Sequence, residues 1–157
     1  MTLLDSLLTR ASAEMQKPGS TMRRSIATAH TAAYYAGIKE RTGVLPKGLS
    51  KIERAELKKQ VAEQLKYYDK FASAAEGMTE KSIGARAQLY VGAIKATYGH
   101  ARQPGLPFYP TEGSECMTNC RCSWQDDGDG SYTWVLDAKE SCATCLDRAS
   151  NNPYQVE

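Results

Sequence analysis

Apolar residues recur at helical spacing through roughly the first hundred positions of the chain. Steps of three and four residues place such positions on one face of an α-helix, so four stretches are each predicted to form a helix with one apolar stripe. The four stripes are, in chain order, Leu4, Leu7, Leu8, Ala11 and Met15; Met22, Ile26, Ala29, Ala33 and Gly37; Leu57, Val61, Leu65, Tyr68 and Ala72; and Ile83, Ala87, Tyr90, Ile94 and Tyr98. We expect these stripes to form a packed core rather than a ligand site.

Local start and stop signals bound the predicted helices. The first helix ends at Pro18-Gly19, and the second is expected to run from about Thr21 to Arg41. The third starts at a full capping box, Ser50-Lys-Ile-Glu53, in which each side chain can bond the backbone N–H of the other residue. Thr79 is the predicted cap of the fourth helix, which ends near Pro104-Gly105.

The chain changes character at Leu106-Pro-Phe-Tyr-Pro110. The two prolines are incompatible with a helix interior, and they favour a stiff extended linker. All five cysteines and both tryptophans follow this segment. We therefore predict two domains, a helical region over residues 1–105 and a small metal-binding module over residues 106–157.

The C-terminal segment is predicted to hold a β-hairpin and one short helix. Aromatic and β-branched residues flank the acidic, glycine-containing segment Asp126–Gly130, which is typical of a hairpin turn. Ser141 can cap a helix whose first turn contains Cys142 and Cys145. The expected fold is therefore mainly α, with about four helices followed by a treble-clef-like cysteine turn, hairpin and short helix stabilised by zinc.

The five cysteines are the candidate site residues. They are Cys116, Cys120, Cys122, Cys142 and Cys145, with the spacing C-x3-C-x-C-x19-C-x2-C. Zn²⁺ prefers four soft ligands in a tetrahedron, and a helix N-terminus favours the thiolate form of cysteines in its first turn. A segment this short buries little apolar surface and gains stability from a metal ion. We predict a structural Zn²⁺ held by Cys116, by Cys120 or Cys122, and by Cys142 and Cys145, with one thiol spare.

Other interpretations of these residues are less favoured. A disulfide framework fits poorly with an odd number of cysteines in a chain for which no export is expected. A thioredoxin-like redox site needs its Cys-x-x-Cys at a strand–helix junction of a larger α/β domain. An EF-hand calcium loop starting at Asp126 would need Gly and Glu where the chain has Ser131 and Asp137. His30 and His100 stand alone in predicted helices and are expected to be polar packing residues.

The distribution of charge also divides the chain. Residues 1–110 carry 17 Lys/Arg and 9 Asp/Glu, net +8, whereas residues 111–157 carry 3 and 9, net −6. The basic part is typical of solvated helix faces, and alternatively of a surface that contacts DNA or an acidic protein. With 41% hydrophobic and 24% charged residues, a packed core is expected. No apolar run reaches about 18 residues, which predicts a soluble protein outside the general secretion route.

Motifs of catalysis are missing from the sequence. It contains no Gly-rich phosphate loop, no nucleophile elbow and no paired-carboxylate motif. We therefore predict that the protein is not an enzyme.

A set of segments carries a resemblance to a known family. The segments are Ala85-Arg-Ala-Gln-Leu-Tyr90, Leu106-Pro-Phe-Tyr-Pro110, Glu112-Gly-Ser-Glu-Cys-Met-Thr-Asn-Cys-Arg-Cys-Ser-Trp124, Trp134-Val-Leu136 and Glu140-Ser-Cys-Ala-Thr-Cys-Leu-Asp-Arg-Ala149. Over residues 80–150 the chain resembles minor head proteins of tailed bacteriophages, the head-morphogenesis group related to the Mu F-like proteins. Asn119-Cys-Arg-Cys122 is similar to the cysteine turn of that group, and Cys142-Ala-Thr-Cys145 to its second ligand pair. In many members the two elements occur in the opposite order, and His-Pro precedes the Asn-Cys where this chain has Met117-Thr118.

The resemblance implies a structural protein of the virion head. The expected protein is shell-associated or close to the portal, is present in several copies as a homo-oligomer, and contacts the major capsid or portal protein. Packaged DNA is a further expected partner of the basic region, and no membrane partner is expected. The implied location is the virion head, and the host cytoplasm during assembly. The alternative prediction is a zinc-containing nucleic-acid-binding regulator, which would bind duplex DNA with strong salt dependence.

Overall fold

The computed structural model describes residues 22–74, 78–79, 90, 93–116, 120–137 and 139–156. Within these residues the protein is mainly helical and has one small antiparallel sheet of three strands. The first predicted helix, from Leu4 to Met15, lies outside the described residues, as do the predicted stripe positions Ile83 and Ala87.

Helix α1 (Met22–Thr42) confirms the second predicted helix. Ile26, Ala29 and Ala33 of its predicted stripe are buried. The stripe ends at Gly37, where an added Cβ would lie 2.5 Å from the backbone oxygen of Tyr98 and 2.7 Å from the Cβ of Ala101. The small residues of α1 therefore let a second helix approach it closely.

Helix α2 (Lys51–Ala74) begins at the predicted capping box. The backbone N–H of Glu53 donates to Ser50 Oγ at 3.2 Å, and the N–H of Ser50 donates to Glu53 Oε2 at 2.8 Å. The predicted apolar stripe is confirmed as far as Tyr68, which is half-buried. The prediction is wrong at Ala72, which is exposed, and Phe71 is buried instead. The aromatic ring of Phe71 packs against Tyr68 and Tyr90 in a cluster with Ile26 of α1, which turns this part of the helix inward.

Residues 93–102 form helix α3, and residue 90 is also helical. Tyr90, Ile94 and Tyr98 are buried, as the fourth predicted stripe requires. Ile94 and Tyr98 pack against Ala29, Ala33 and Ala36 of α1, so large side chains of one helix fill the space above small ones of the other. The helix ends two residues before Pro104, close to its predicted end.

The sheet has the order β1-β2-β3. Strands β1 (Ser123–Asp126) and β2 (Ser131–Val135) form the predicted antiparallel hairpin, in which Trp124 lies opposite Trp134. The short helix α4 (Ala143–Ser150) follows, and strand β3 (Tyr154–Gln155) then pairs with β2, which was not predicted. The side chain of Asn152 holds the chain next to β2 just before β3 begins. Its Oδ1 accepts from the backbone N–H of Trp134 at 2.7 Å, and its Nδ2 donates to the Trp134 carbonyl at 3.0 Å.

The segment from Leu106 to Pro110 is non-helical, as predicted. It is not only a linker, however, because part of it is buried in the protein core. Leu106 and Tyr109 are buried in a cluster with Ala96 of α3. Side chains from the sheet and the C-terminus, namely Trp124, Tyr132 and Val156, pack against the same cluster. Gly99 allows this contact, because a Cβ there would lie 2.5 Å from the Tyr109 ring. The predicted division into residues 1–105 and 106–157 stays a prediction.

Candidate metal centre

The five cysteines lie on three segments that the hairpin and α4 bring together. Cys116 lies in a turn, and Cys120 and Cys122 immediately precede β1, while residues 117–119 are outside the described part of the chain. Cys142 is the N-cap residue of α4 and Cys145 lies in the first turn of that helix. The predicted short helix with two cysteines at its start is therefore confirmed, but the predicted cap Ser141 is wrong: Cys142 is the N-cap residue, and the Ser141 hydroxyl donates to the Asp137 carbonyl at 3.3 Å.

An aromatic core supports the cysteines from one side. Trp134 is 1% exposed and lies in one cluster with Cys120, Cys122 and Cys145. The Phe108 ring is tilted against the Trp124 ring, with 4.8 Å between the ring centroids, and it meets the Trp134 ring edge-on at 5.1 Å. These rings hold the sheet against α4 and so fix the two cysteine-bearing segments relative to each other.

Arg148 of α4 extends this support and was not anticipated from the sequence. Its guanidinium lies 4.0 Å from the Phe108 ring centroid, and its Nη2 donates to the Glu112 carbonyl at 2.6 Å. A cation over an aromatic face and a charge-assisted hydrogen bond both stabilise the docked helix. Only the folded chain brings residues 108, 112 and 148 together, so a local sequence pattern cannot identify them.

Four of the thiols form two close pairs. Cys120 Sγ lies 3.7 Å from Cys145 Sγ, and Cys116 Sγ lies 3.4 Å from Cys142 Sγ. Across the pairs, the sulfurs of Cys116, Cys120 and Cys145 lie within 4.8 Å of one another, and these three cysteines could hold a metal ion. All five thiols are free, and the observed separations are far from the S–S bond length of about 2.05 Å.

Cys122 has a different environment from the close pairs. Its side chain is buried, and its Sγ lies 3.9 Å from the hydroxyl oxygen of Ser141. The group of three cysteines that could hold a metal ion contains Cys120 but neither Cys122 nor Cys142, and the Cys122 thiol also interacts with that of Cys145. The sequence left the choice between these two residues open.

Backbone N–H groups favour the thiolate form of one cysteine in each close pair. Burial raises the pKa of Cys142, but the N–H groups of Cys145 and Cys116 and the thiols of the same residues outweigh it, and the pKa falls to about 6. The pKa of Cys120 is lowered in the same way, since the N–H groups of Thr111 and Cys122 outweigh its burial. These N–H groups point the positive ends of their dipoles at the sulfurs. They therefore stabilise the negatively charged thiolates that a metal ion needs as ligands.

The other member of each pair has the opposite shift. Burial raises the pKa of Cys116, and burial also raises the pKa of Cys145, with nearby thiols adding to both increases. Without a metal ion, each pair therefore joins one easily ionised sulfur to one that keeps its proton. A soft divalent cation bound between the sulfurs would displace the remaining protons and offset part, but not all, of the negative charge of the thiolates.

Glu115 connects the first cysteine turn to α4 and was missed from the sequence. Its Oε2 accepts from the backbone N–H of Ala143 at 3.2 Å, and its own N–H donates to Thr144 Oγ1 at 3.4 Å. A carboxylate at a helix N-terminus is favoured by the helix dipole and satisfies an otherwise unpaired N–H. The contact holds Cys116 next to Cys142.

The acidic loop between β1 and β2 uses its carboxylates within the turn. Asp126 Oδ1 accepts from the N–H of Gly128 at 2.8 Å, and Asp127 Oδ2 accepts from the Thr133 hydroxyl at 2.8 Å. Asp129 Oδ1 accepts from the backbone N–H of Ser131 at 3.0 Å. The loop is thus a hairpin turn, in agreement with the sequence-based prediction.

The histidines lie in the helical region. His30 is fully buried, and its Nδ1 lies 2.6 Å from Thr97 Oγ1. His100 packs on the Tyr109 ring, with Nδ1 3.5 Å from Glu56 and Nε2 3.3 Å from Glu112. His100 therefore joins α2 to the segment that leads into the cysteines.

The fold and the site define a mainly helical protein with a small three-stranded sheet and a cluster of cysteines that could hold a metal ion. Comparison with protein-family models, curated proteins and solved structures gives no match. The resemblance to phage head proteins therefore stays a prediction. No helix in the described part of the chain combines the length and the apolar character needed to cross a membrane.

Proposed function

We propose that residues 106–157 form a treble-clef-like module that binds one structural Zn²⁺ through Cys116, Cys120, Cys142 and Cys145. The observation that carries this proposal is the sulfur spacing of 3.4 and 3.7 Å within the two pairs. Four sulfurs that each lie about 2.3 Å from one central ion are separated by about 3.8 Å along each edge of the tetrahedron. Cys122 is the spare thiol, and the Ser141 hydroxyl is its partner.

Zinc is the metal that this donor set favours. Four thiolates select soft or borderline cations, whereas Ca²⁺ and Mg²⁺ prefer oxygen ligands. An iron–sulfur cluster with two irons also holds two thiolates on each iron, so the separations within the pairs do not exclude it. The sulfurs of Cys116, Cys120 and Cys145, which come from both pairs, lie within 4.8 Å of one another, and this closeness between the pairs supports a single ion.

A structural role follows from a closed set of four protein ligands. Catalytic zinc keeps a coordination position open for water or substrate, and four thiolates leave none. The ion would join the turn at Cys116 and the segment before β1 to the first turn of α4. We propose on this basis that the metal centre is structural rather than catalytic.

The wider role that we propose is that of a minor head protein of a tailed bacteriophage, bound to the major capsid or portal protein. The support is the family resemblance of the cysteine segments together with the charge division of the chain. Lys58, Lys59 and Lys66 are exposed on α2 and offer a basic surface to an acidic protein partner. A small metal-stabilised module attached to this helical region suits docking onto a larger assembly.

Co-expression with the head proteins tests this role. The chain is co-expressed with the capsid and portal proteins of a tailed phage whose genome encodes it, treated with DNase, and sedimented. We expect it to sediment with the head proteins after DNase treatment, because protein surfaces hold it. The triple substitution Lys58→Glu, Lys59→Glu and Lys66→Glu should release it, and more so at higher salt.

A matched control separates a specific surface from general charge. Arg24→Glu, Lys39→Glu and Lys139→Glu make the same charge change at other exposed positions and should leave sedimentation unchanged. A chain that stays in the soluble fraction with every head component, yet shifts duplex DNA at physiological salt, would show the regulator to be the correct alternative.

A further inference from the structure

The turn between α1 and α2 exposes three large apolar side chains. Val44 is 69% exposed, Leu45 is 58% exposed, and Ile52, in the first turn of α2, is 82% exposed. Single exposed apolar residues are common on protein surfaces, whereas three large ones between residues 44 and 52 form a candidate contact site.

The hydrogen bonds of this turn hold it in one conformation. The N–H of Gly43 donates to the Lys39 carbonyl at 2.8 Å, and the N–H of Val44 donates to Thr42 Oγ1 at 3.3 Å. At its other end the Ser50–Glu53 capping box fixes the start of α2. The apolar side chains are therefore presented by an ordered turn, which lowers the entropy lost when a partner covers them.

Positive charge surrounds these apolar residues. Lys47, Lys51 and Arg54 are exposed and form no ion pair with any described residue, whereas the neighbouring Arg41 is paired with Glu53. A partner for this turn should consequently combine acidic groups with apolar surface.

The C-terminal part of the same chain has those properties. Residues 111–157 carry a net charge of −6. Leu146 on α4 is 52% exposed and Val135 on β2 is 38% exposed. Glu140 and Asp147 are exposed close to them in sequence and form no ion pair within the described part of the chain.

The two surfaces are complementary and belong to different parts of the same chain. Leu49 of the turn packs against the cluster of Tyr34, Ile38 and Ala101, which anchors the turn on α1 and α3. In a closed dimer with two-fold symmetry, the turn of each copy would face the acidic part of the other.

We propose that the α1–α2 turn docks on the acidic C-terminal part of a second copy of this chain, and that two reciprocal contacts form a closed dimer. Apolar side chains of the turn meet Leu146 and Val135, and the turn's lysines face Glu140 and Asp147. The acceptor surface flanks the cysteines in sequence but contains none of them, and the proposal does not depend on a virion role.

Sedimentation equilibrium of the full, metal-loaded chain measures the dimer. We expect a dimer whose Kd rises with salt between about 0.05 and 0.5 M, since ion pairs at an interface are screened. Val44→Ser with Leu45→Ser and Ile52→Ser should raise the Kd by at least about tenfold. Tyr67→Ser is the control, because Tyr67 is 55% exposed on α2 away from the turn and should leave the Kd unchanged.

A charge exchange identifies the two surfaces as partners. Lys47→Glu with Lys51→Glu, and separately Glu140→Lys with Asp147→Lys, should each weaken the dimer. An equimolar mixture of the two variants should restore it, because both contacts of the mixed dimer then join opposite charges. Lys58→Glu with Lys59→Glu is the matched control and should not pair with the second variant.

Three results would overturn the proposal. One is a wild-type chain that stays monomeric at roughly 100 µM, a concentration that would reveal even weak association. Another is a mixture of the charge variants that stays monomeric although each variant melts as the wild type does. The third is wild-type binding to vesicles rich in phosphatidylserine that the triple serine variant loses, which would make an anionic membrane the partner of the turn.

Discussion

The helical region and the cysteine-containing region hold their chains together by different means. In the helical region, Ala33 and Ile94 are completely buried between α1 and α3, and packing of mostly apolar side chains, with the buried His30–Thr97 pair among them, accounts for the core. In the C-terminal region the sheet and α4 surround Trp134, but Cys120 and Cys145 occupy buried positions where a larger domain would place aliphatic side chains. Burial alone thus explains the first region, whereas the second combines burial with a group of sulfurs that suits a metal ion.

Cys145→Ser should have the largest effect of the substitutions considered, and the effect should be confined to the cysteine-containing region. Cys145 is fully buried and pairs with Cys120, so its loss should lower zinc affinity by more than about 100-fold, since even partners outside the coordination shell contribute 10–100-fold. Near-ultraviolet circular dichroism of Trp124 and Trp134 should collapse while the far-ultraviolet helix signal largely remains. Cys122→Ser is the control and should keep both the metal and the tryptophan signal.

Equal loss of zinc in the variants Cys116→Ser, Cys120→Ser and Cys122→Ser would contradict the assignment of Cys122 as the spare thiol. Isothermal titration of the metal-free variants with Zn²⁺ under reducing conditions provides the comparison.

Acid should destabilise the helical region through His30. Burial lowers the pKa of His30 to about 4, against 6.5 for the unperturbed group. The unfolded chain then binds a proton that the folded chain does not, so stability falls as the pH falls from 6.5 towards 4, by about 3 kcal/mol in total. His30→Gln should remove this part of the pH dependence, measured as the difference in urea unfolding between wild type and variant at pH 7 and pH 4.5.

An unchanged pH dependence in the His30→Gln variant would contradict the role of this histidine. The variant keeps a side chain that can bond Thr97, so a general loss of stability at every pH would be a separate effect.

Close helix packing makes Gly37→Ala costly. The new Cβ would lie 2.5 Å from the Tyr98 backbone oxygen, so α1 and α3 must separate. Overpacking of this kind costs roughly 1–3 kcal/mol, partly offset by the better helix propensity of Ala. The thermal midpoint of the helical region should fall while the zinc content stays the same.

Gly48→Ala is the matched control for Gly37→Ala, because no atom lies within 4 Å of its added Cβ. A Gly37→Ala variant as stable as Gly48→Ala would show that the two helices are less closely packed than described.

The smallest effect is expected at the start of α2. Ser50→Ala removes the side-chain acceptor of the Glu53 N–H and should cost about 1 kcal/mol in urea unfolding. Ser73→Ala, at an exposed position inside the same helix, should change stability by less. If the capping box is not formed in solution, Ser50→Ala should lower the stability by no more than Ser73→Ala does.

Features set by neighbouring residues could be predicted from the sequence. The Ser50–Glu53 capping box, the hairpin around Asp126–Gly130 and the short helix that follows Cys142 all depend on short stretches of chain, and each is present. Ala72 was assigned to the core by its spacing, whereas Phe71 fills that position because Tyr68 and Tyr90 offer an aromatic contact.

Features set by distant contacts could not be predicted in this way. Strand β3 has two residues, too few for any periodicity, and it forms because Asn152 bonds the backbone of Trp134. Spacing alone also could not choose between Cys120 and Cys122, since both precede β1 by a few residues. In the folded chain Cys145 lies beside Cys120, and these two cysteines together with Cys116 could hold a metal ion.

Elemental analysis of the protein, purified under reducing conditions without chelator, tests the metal centre most directly. Inductively coupled plasma mass spectrometry should find one zinc per chain, and titration with a thiol reagent should count one rapidly reacting thiol, or none, before a chelator is added and five after it. A metal-free protein whose cysteines are paired as disulfides, with the tryptophan signal of the C-terminal region intact, would contradict the account.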